Sequence, residues 1–443
     1  MKRLKACIVG RIVGLICWPV AVCAQEPVPL PIELTPVDDQ AIAFATFQSH
    51  NQKAVSNAEG IFITYLHKSN DDYTAQQWRL AKSTDGGKSF TTIHEATHAT
   101  SAPAIETDRQ GTLYLGHPNF LDGNAYLVRL ANHGDNVRTS TTELTGGSAG
   151  KYCLLLDEAR QQLYWFAHNN TFFTVGMDGA VRSKTELLQA GPHAYLQYPH
   201  LTLDASGTLF AAWTTSKVVK DNVSIYHDVH AMKSPDGGKT WQALDGKPIA
   251  LPAVADDTGP ATLISKVEEF DVHSWLSAFM AKDGKLHFVY WAKTEPERQR
   301  YVRYDVATGQ LERDVEPIFA HRPSKLPNDS GVFVSNRDEP GSSLYFVSTV
   351  DDRSRIACLA SDDNGGSWYE YALSDTQFPG RVYSIGASRE LTRSGAIVGT
   401  FTVVVGEPKT YHEDKSGSVY FFRIQSPSPT SELRGGVREK GRP

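Results

Sequence analysis

Cysteine is scarce in this sequence, with five residues in 443, and three of them (Cys7, Cys17 and Cys23) fall within the first 24 positions. The other two, Cys153 and Cys358, are too few and too far apart for a disulfide framework or a zinc ribbon. They are expected as buried free thiols. A basic excess is lacking too, since 44 Lys and Arg stand against 50 Asp and Glu. That balance argues against nucleic acid as a partner and demands a locally basic cleft for any polyanionic substrate. Long apolar runs are confined to the N-terminus, so no membrane span is expected beyond it. Long amphipathic helical periodicity is missing as well. In its place, short runs of β-branched and aromatic residues lie between clusters of Gly, Asp, Asn and Ser, the pattern of an all-β protein.

The first 24 residues read as a secretory signal peptide. Lys2, Arg3 and Lys5 make a basic start, an apolar stretch broken only by Arg11 follows, and Val22-Cys23-Ala24 offers small residues before a cut at Gln25. A lipoprotein cut before Cys23 is the rival reading. Cleavage near Ala24 makes the protein secreted or periplasmic. It also removes four basic and no acidic residues, which moves the formal net charge from -6 to -10. Residues 25–424 are expected to fold as one domain, and residues 425–443, rich in Pro, Ser, Gly and Arg, to form a disordered polar tail.

Within 25–424 one kind of segment recurs, a Gly or small polar residue followed by an alternating apolar strand. Copies start at Gly60, Gly111, Gln162, Gly207, Gly284, Ser342 and Gly395, at spacings of 51, 51, 45, 77, 58 and 53 residues. Seven units of about fifty residues match four-stranded propeller blades, with one insertion between the fourth and fifth. The expected fold is therefore all-β, a seven-bladed β-propeller of four-stranded antiparallel blades. The last strand, from Ser418 to Arg423, is expected to close the ring against early residues such as Ile42 to Phe47.

A second repeat is more local. The stretches from Ser83 to Phe90, Ser234 to Trp241 and Ser361 to Trp368 share the form Ser-x-Asp-x-Gly-x-x-aromatic, at a similar phase in units one, four and six. They resemble the Asp box, or BNR repeat, of sialidase-like β-propellers. The resemblance implies a turn between the third and fourth strands of a blade. Its Ser and Asp would cap turn amides, its Gly would take positive φ, and its aromatic would sit between blades. Asp236 is then expected to hold a turn rather than to do chemistry.

Such turns lie on one face of a propeller. The starts of the innermost strands and the ends of the second strands lie on the other, around the central funnel. Second-strand ends carry His67, His117, His168 and Lys217; inner-strand starts carry His50, His98, Lys151, Tyr198, His200, His273, Arg381 and Tyr383. Together they predict a cationic, His-rich funnel. His227 and His230 bracket Asp228, but two residues three apart point to opposite faces of a strand, which argues against a shared metal ion.

No carboxylate pair is evident at these positions, and glycoside hydrolysis by the usual route needs one. Histidine and tyrosine for proton transfer, with Lys or Arg to neutralise a carboxylate, suit β-elimination on a uronic acid. Seven-bladed polysaccharide lyases acting on ulvan, a sulfated rhamnose and uronic-acid polymer, are similar to this chain in blade count and in such a funnel. The resemblance implies an exported lyase with His117 as base or carboxylate neutraliser, Tyr198 as acid and as base, and His98 on the same rim. His168, His200, Lys217, His227, His273 and Arg381 would surround an anionic polysaccharide bound by a monomer. That chemistry requires no cofactor, and a structural calcium or zinc ion stays open. One alternative is a sialidase-like exo-glycosidase centred on Tyr383 and Arg381. Against it, the early Arg-Ile-Pro signature of sialidases is replaced by Gln48-Ser49-His50-Asn51-Gln52-Lys53. The other is a non-catalytic glycan-binding propeller.

Overall fold

Runs of β-branched and aromatic residues bounded by Gly and Asx turns become strands, and these gather into seven four-stranded blades. The computed structural model describes residues 28–48, 50–69, 76–133, 136–218, 224–259, 262–265, 273–293, 298–315, 331–336, 339–351, 353–406 and 417–425. The expected signal peptide and residues 426–443 lie outside them. The inner strands are Ala54–Asn57, Ala104–Thr107, Tyr152–Asp157, Tyr195–Leu203, His273–Lys282, Val332–Ser335 and Arg381–Ala387, each against its neighbours around a central channel. The second strands begin within two residues of the seven predicted starts, from Gly60–His67 in blade one to Ile397–Val404 in blade seven. The insertion after blade four folds back, and its Ala253–Val254 pairs with Leu188–Gln189 ahead of that blade. No helix among the described residues is long and apolar enough to cross a membrane.

Burial runs through the strands differently from the alternation expected. Gln162–Ala167 and Leu344–Val350 are buried at every position, because a second strand is covered by a neighbouring blade on each side. The apolar core is accordingly a series of slabs between blades. One joins Ile63 and Trp78 of blade one to Leu113 and Leu115 of blade two, and another joins Phe166 and Phe172 of blade three to Trp213 and Met232 of blade four. Cys153 and Cys358 are both buried and free.

Ring closure differs from the expected register. The last strand, Gly417–Ile424, pairs antiparallel with Glu33–Ala41, with Leu34 opposite Phe422 and Ala41 opposite Gly417. Residues 42–47 instead turn inward to the funnel, where Phe44 stacks on Phe47 at 4.7 Å. Further out, Leu30–Pro31 runs parallel to Ala372 and Leu373 of blade six.

The three Ser-x-Asp stretches form the turns from third to fourth strands in blades one, four and six. In blade four, Asp236 Oδ1 accepts hydrogen bonds from Ser234 Oγ at 2.9 Å, Lys239 N at 3.1 Å and Thr240 N at 2.9 Å. Gly238 N donates to Ser234 Oγ at 2.7 Å. Gly238 has φ +91°, and a methyl group there would meet the ring of Phe172 in blade three at 2.7 Å. Gly87 sits likewise against Phe421 of blade seven. The closing aromatics lie between blades as expected, Trp241 against Phe172 at 5.7 Å and Phe90 against Phe421 at 5.0 Å. Asp236→Ala should lower unfolding free energy by about 1–3 kcal/mol, since several turn amides lose one acceptor. Denaturant titration checks this, and turnover per folded molecule should not change.

Candidate functional site

Pro199 interrupts the inner strand of blade four. It has no N–H for the ladder, and pairing with the second strand, Leu209–Val218, shifts between Gln197 and His200. Tyr198 at this bulge takes φ +46°, a left-handed conformation costly for a residue with a Cβ. The same device recurs in blade seven, where pairing shifts between Tyr383 and Gly386 and Ser384 has φ +49°.

The blade-four bulge places Tyr198 on the floor of a cup, 3% exposed. Half-buried Phe47, His50, Lys151, Tyr226 and Trp275 form its walls. The Tyr198 and Tyr226 hydroxyls are 3.1 Å apart, and the Trp275 ring lies 4.4 Å from that of Tyr198. Lys151 Nζ stands 4.9 Å over the Tyr198 ring. His50 meets Tyr198 edge-on at 5.8 Å and lies 4.6 Å from His200. Its Nε2 is 3.0 Å from the Tyr152 carbonyl oxygen; as a carbonyl only accepts, Nε2 carries the proton and Nδ1 keeps its lone pair.

Burial sets the electrostatics of the cup. Burial, then the charges of His200 and Lys53, hold His50 well below the ordinary histidine range. Burial and the nearby Arg389 push His200 down to about 3. Burial and Lys151 push His168 to about 4, and burial lowers Lys151 to about 8. At neutral pH the cup thus holds neutral imidazoles beside an ammonium. These histidines take up protons more readily in the unfolded chain, so stability should fall as pH drops from 6.5 toward 4, measurable as a falling melting temperature.

The structure gathers only some of the predicted residues. Tyr198 and His200 lie in the cup. His168 directly follows the second strand of blade three, Gln162–Ala167, and accepts a hydrogen bond from Lys151 N at 3.0 Å. Lys217 is on the rim of blade four, opposite Ile225 and next to the Tyr226 strand position. His117 does not join them. It shares the face of its strand with Leu113 and Leu115, which pack on blade one, and it lies between Trp78 at 5.5 Å and Tyr126 at 5.9 Å. Burial lowers it to about 4. His98 belongs to the outermost strand of blade one, Thr91–Ala99, where it is exposed, and not to an inner-strand start. Arg381 is exposed at the first position of its inner strand. His273 begins the inner strand of blade five, and its side chain lies outside the described residues.

His227 and His230 both reach Asp228, contrary to the expectation that they face apart. His230 Nε2 lies 2.8 Å from Asp228 Oδ1, and His227 Nδ1 lies 3.2 Å from Oδ2. The pairing of this strand shifts opposite Thr214 to Ser216, which breaks the alternation. The residues missing from the sequence-based set are Phe47, Trp275, Lys53 and Arg389. Lys53 is fully buried, lowered by burial to about 7, and donates to the carbonyl oxygens of Gln48 and Asn51 at 3.4 Å. A lysine opening an apolar strand was the available signal.

Two other features frame the cup. Arg389 closes the channel beneath it: Nη1 donates to Glu106 of blade two at 2.6 Å, and its backbone N donates to Gln52 Oε1 at 2.6 Å. On the opposite face opens a cavity of about 1260 Å³. Of its carboxylates, Asp108 holds a local turn through Thr112 N and the Tyr114 hydroxyl, Asp204 does so through Ser206 and Thr208, and Glu106 is the partner of Arg389. Chemistry, not volume, therefore selects the cup. His193, Asp256 and Asp257 bring ligand atoms within 4.8 Å of one another. Asp256 already accepts from His193 N, Ala194 N and Thr258 N, which marks it as a clasp for the insertion.

No family model matches the sequence, and no curated protein matches it. Solved structures do. A PL25 ulvan lyase superposes with a TM-score of 0.62 over 88% of this chain and 95% of its own, at 11% identity. The structure of a PL25 ulvan lyase bound to -[GlcA(1-4)Rha3S]- gives the same values. The polysaccharide lyase Uly1 follows at 0.59, over 90% of this chain and 100% of its own, at 10% identity. The chain is a seven-bladed β-propeller, similar in fold to a PL25 ulvan lyase and to the polysaccharide lyase Uly1.

Proposed function

We propose that this protein is an exported polysaccharide lyase that cleaves a uronic-acid-containing, sulfated polysaccharide of the ulvan type by β-elimination. The observation that carries the reading is the cup itself, a phenol held on a left-handed bulge between a neutral imidazole and an ammonium. Likeness in fold to lyases supports it. Among the described residues, the buried carboxylates adjoining the cup are already committed, Asp228 to His230 and Glu106 to Arg389, so they do not form the facing acid pair of a glycosidase.

In this scheme Lys151 neutralises the C6 carboxylate of the uronate and acidifies its C5 proton. His50 Nδ1 takes that proton, and the C5–H electrons form the C4–C5 double bond. The C4–O4 bond breaks, and the leaving O4 takes the proton of Tyr198, with Tyr226 hydrogen-bonded behind it. The base assigned to His117 from sequence passes to His50, because His117 faces blade one. Zinc or calcium has no step in this scheme.

Incubation with ulvan tests the reading through the ultraviolet absorbance of the unsaturated uronate product. A rise is expected; no rise on ulvan or other uronate polymers, with cleavage of a sialoside instead, would sink it. The pH profile of kcat/KM should fall as pH rises through about 8, where Lys151 loses its charge. It should hold steady from there down to well below 6.5, because burial keeps the imidazoles neutral.

A further inference from the structure

At the funnel rim of blade two, the turn after the second strand carries Phe120 and Leu121 at its tip, 37% and 59% exposed. Turn tips are usually polar, and this one is held firmly by the polar residues around its apolar pair. Leu121 N donates to Asn119 Oδ1 at 3.0 Å, Asn124 N to Asp122 Oδ1 at 2.8 Å, and the Tyr126 hydroxyl to Asp122 Oδ2 at 2.6 Å. Ser148 N ties the turn to the next blade through the Gly123 carbonyl at 3.2 Å. Exposed large apolar side chains stand at both ends of the blades, Phe120, Leu121, Tyr195, Val218 and Val405 around the funnel, and Val181, Leu311 and Tyr369 at the strand starts that follow turns of the opposite face.

The turn is continuous with the cup. A methyl group on Gly150 would meet Phe120 Cζ at 3.4 Å and His168 Cε1 at 3.7 Å, so the Phe120 ring borders His168 across a gap that Gly150 leaves open. Lys151 follows directly and reaches over Tyr198. An extended chain whose anionic unit sits at Lys151 would therefore lay a neighbouring unit over Phe120.

We propose that the Phe120–Leu121 turn is a sugar-stacking subsite that holds the apolar face of a pyranose ring further along an anionic polysaccharide. The proposal rests on the lyase reading for the position of the reacting unit. A preformed turn loses little conformational freedom on binding, and stacking supplies its affinity.

The test combines Phe120→Ser with Leu121→Ser, and uses Ile93→Ser, 49% exposed on an outermost strand, as the control. Retardation in native gels containing ulvan should weaken, and KM for the polymer should rise about tenfold with kcat retained, the loss expected from uncovering one apolar contact. Phe120→Trp should keep both at wild-type level, and Ile93→Ser should change neither. Unchanged retardation of the double variant overturns the subsite, as does a wild-type protein that ulvan does not retard. A wild-type dimer that the double variant dissociates, with retardation unchanged, overturns it in favour of a protein contact. If retardation depends on Phe120 and Leu121 but no uronate polymer is cleaved, the subsite stands and the lyase reading falls.

Discussion

Tyr198→Phe should reduce turnover of a uronate polymer by about a thousandfold, the scale of losing a positioned proton donor. KM should change little, because Lys151, His50 and Trp275 still surround the ring. Folding should be preserved, since the phenylalanine keeps the contact with Trp275 at 4.4 Å and the bulge is set by Pro199. The hydroxyl removed is one whose neighbour, Tyr226, is half-buried and open to water. Steady-state kinetics with a melting curve on the same sample separates the two effects. Activity within tenfold of wild type would take Tyr198 out of the chemistry.

Arg389→Met should destabilise the fold by about 3–5 kcal/mol, because it strands a buried carboxylate. Glu106 and Arg389 are 8% and 14% exposed in their side chains, and they meet at 2.6 Å. Gln52 joins them, donating to the Ile105 carbonyl oxygen at 2.9 Å and to Glu106 Oε2 at 3.3 Å. The Arg389 carbonyl also accepts from Ser335 N of blade six at 3.0 Å. The arginine thus links the inner strands of blades one, two and six to blade seven. Adding Glu106→Gln to Arg389→Met should recover much of the loss, since no charge is then left buried. Equal instability of the single and double variants in denaturant titrations would place the cost in packing.

Much of the fold was legible because each blade repeats one solution to one problem. A Gly or small polar residue opens a strand that two neighbouring blades cover, so the seven starts stood out at Gly60 through Gly395. The three Ser-x-Asp turns then set the phase and separated the two faces. The cup was only half legible, because its geometry depends on departures from regular pairing. Tyr198 was found, but the bulge that aims it is a matter of register between strands. At His227 and His230 a similar shift reversed the facing that simple alternation predicts. His117 went astray for the opposite reason: its strand is regular, and alternation carries it to blade one with Leu113 and Leu115. Lys53 and Arg389 were passed over because burial and partnership, which give them meaning, come from strands far away in sequence.

The antiparallel pairing of Glu33–Ala41 with Gly417–Ile424 has a consequence for how the molecule comes into being. The first and last strands of the ring are partners, so a growing chain cannot make this contact until residues 417–424 have been made. Six blades can stack in order of emergence while the seventh lacks its outer edge. Until then Glu33–Ala41 is tied to blade one, where Ala41 pairs with His67, and its other edge faces the gap. Closure is then one long-range event, bringing together segments separated by nearly the whole chain. A break inside a blade damages a slab, whereas loss of the first strand opens the circle and strips Leu34, Val37 and Ala41 from the slabs beside it.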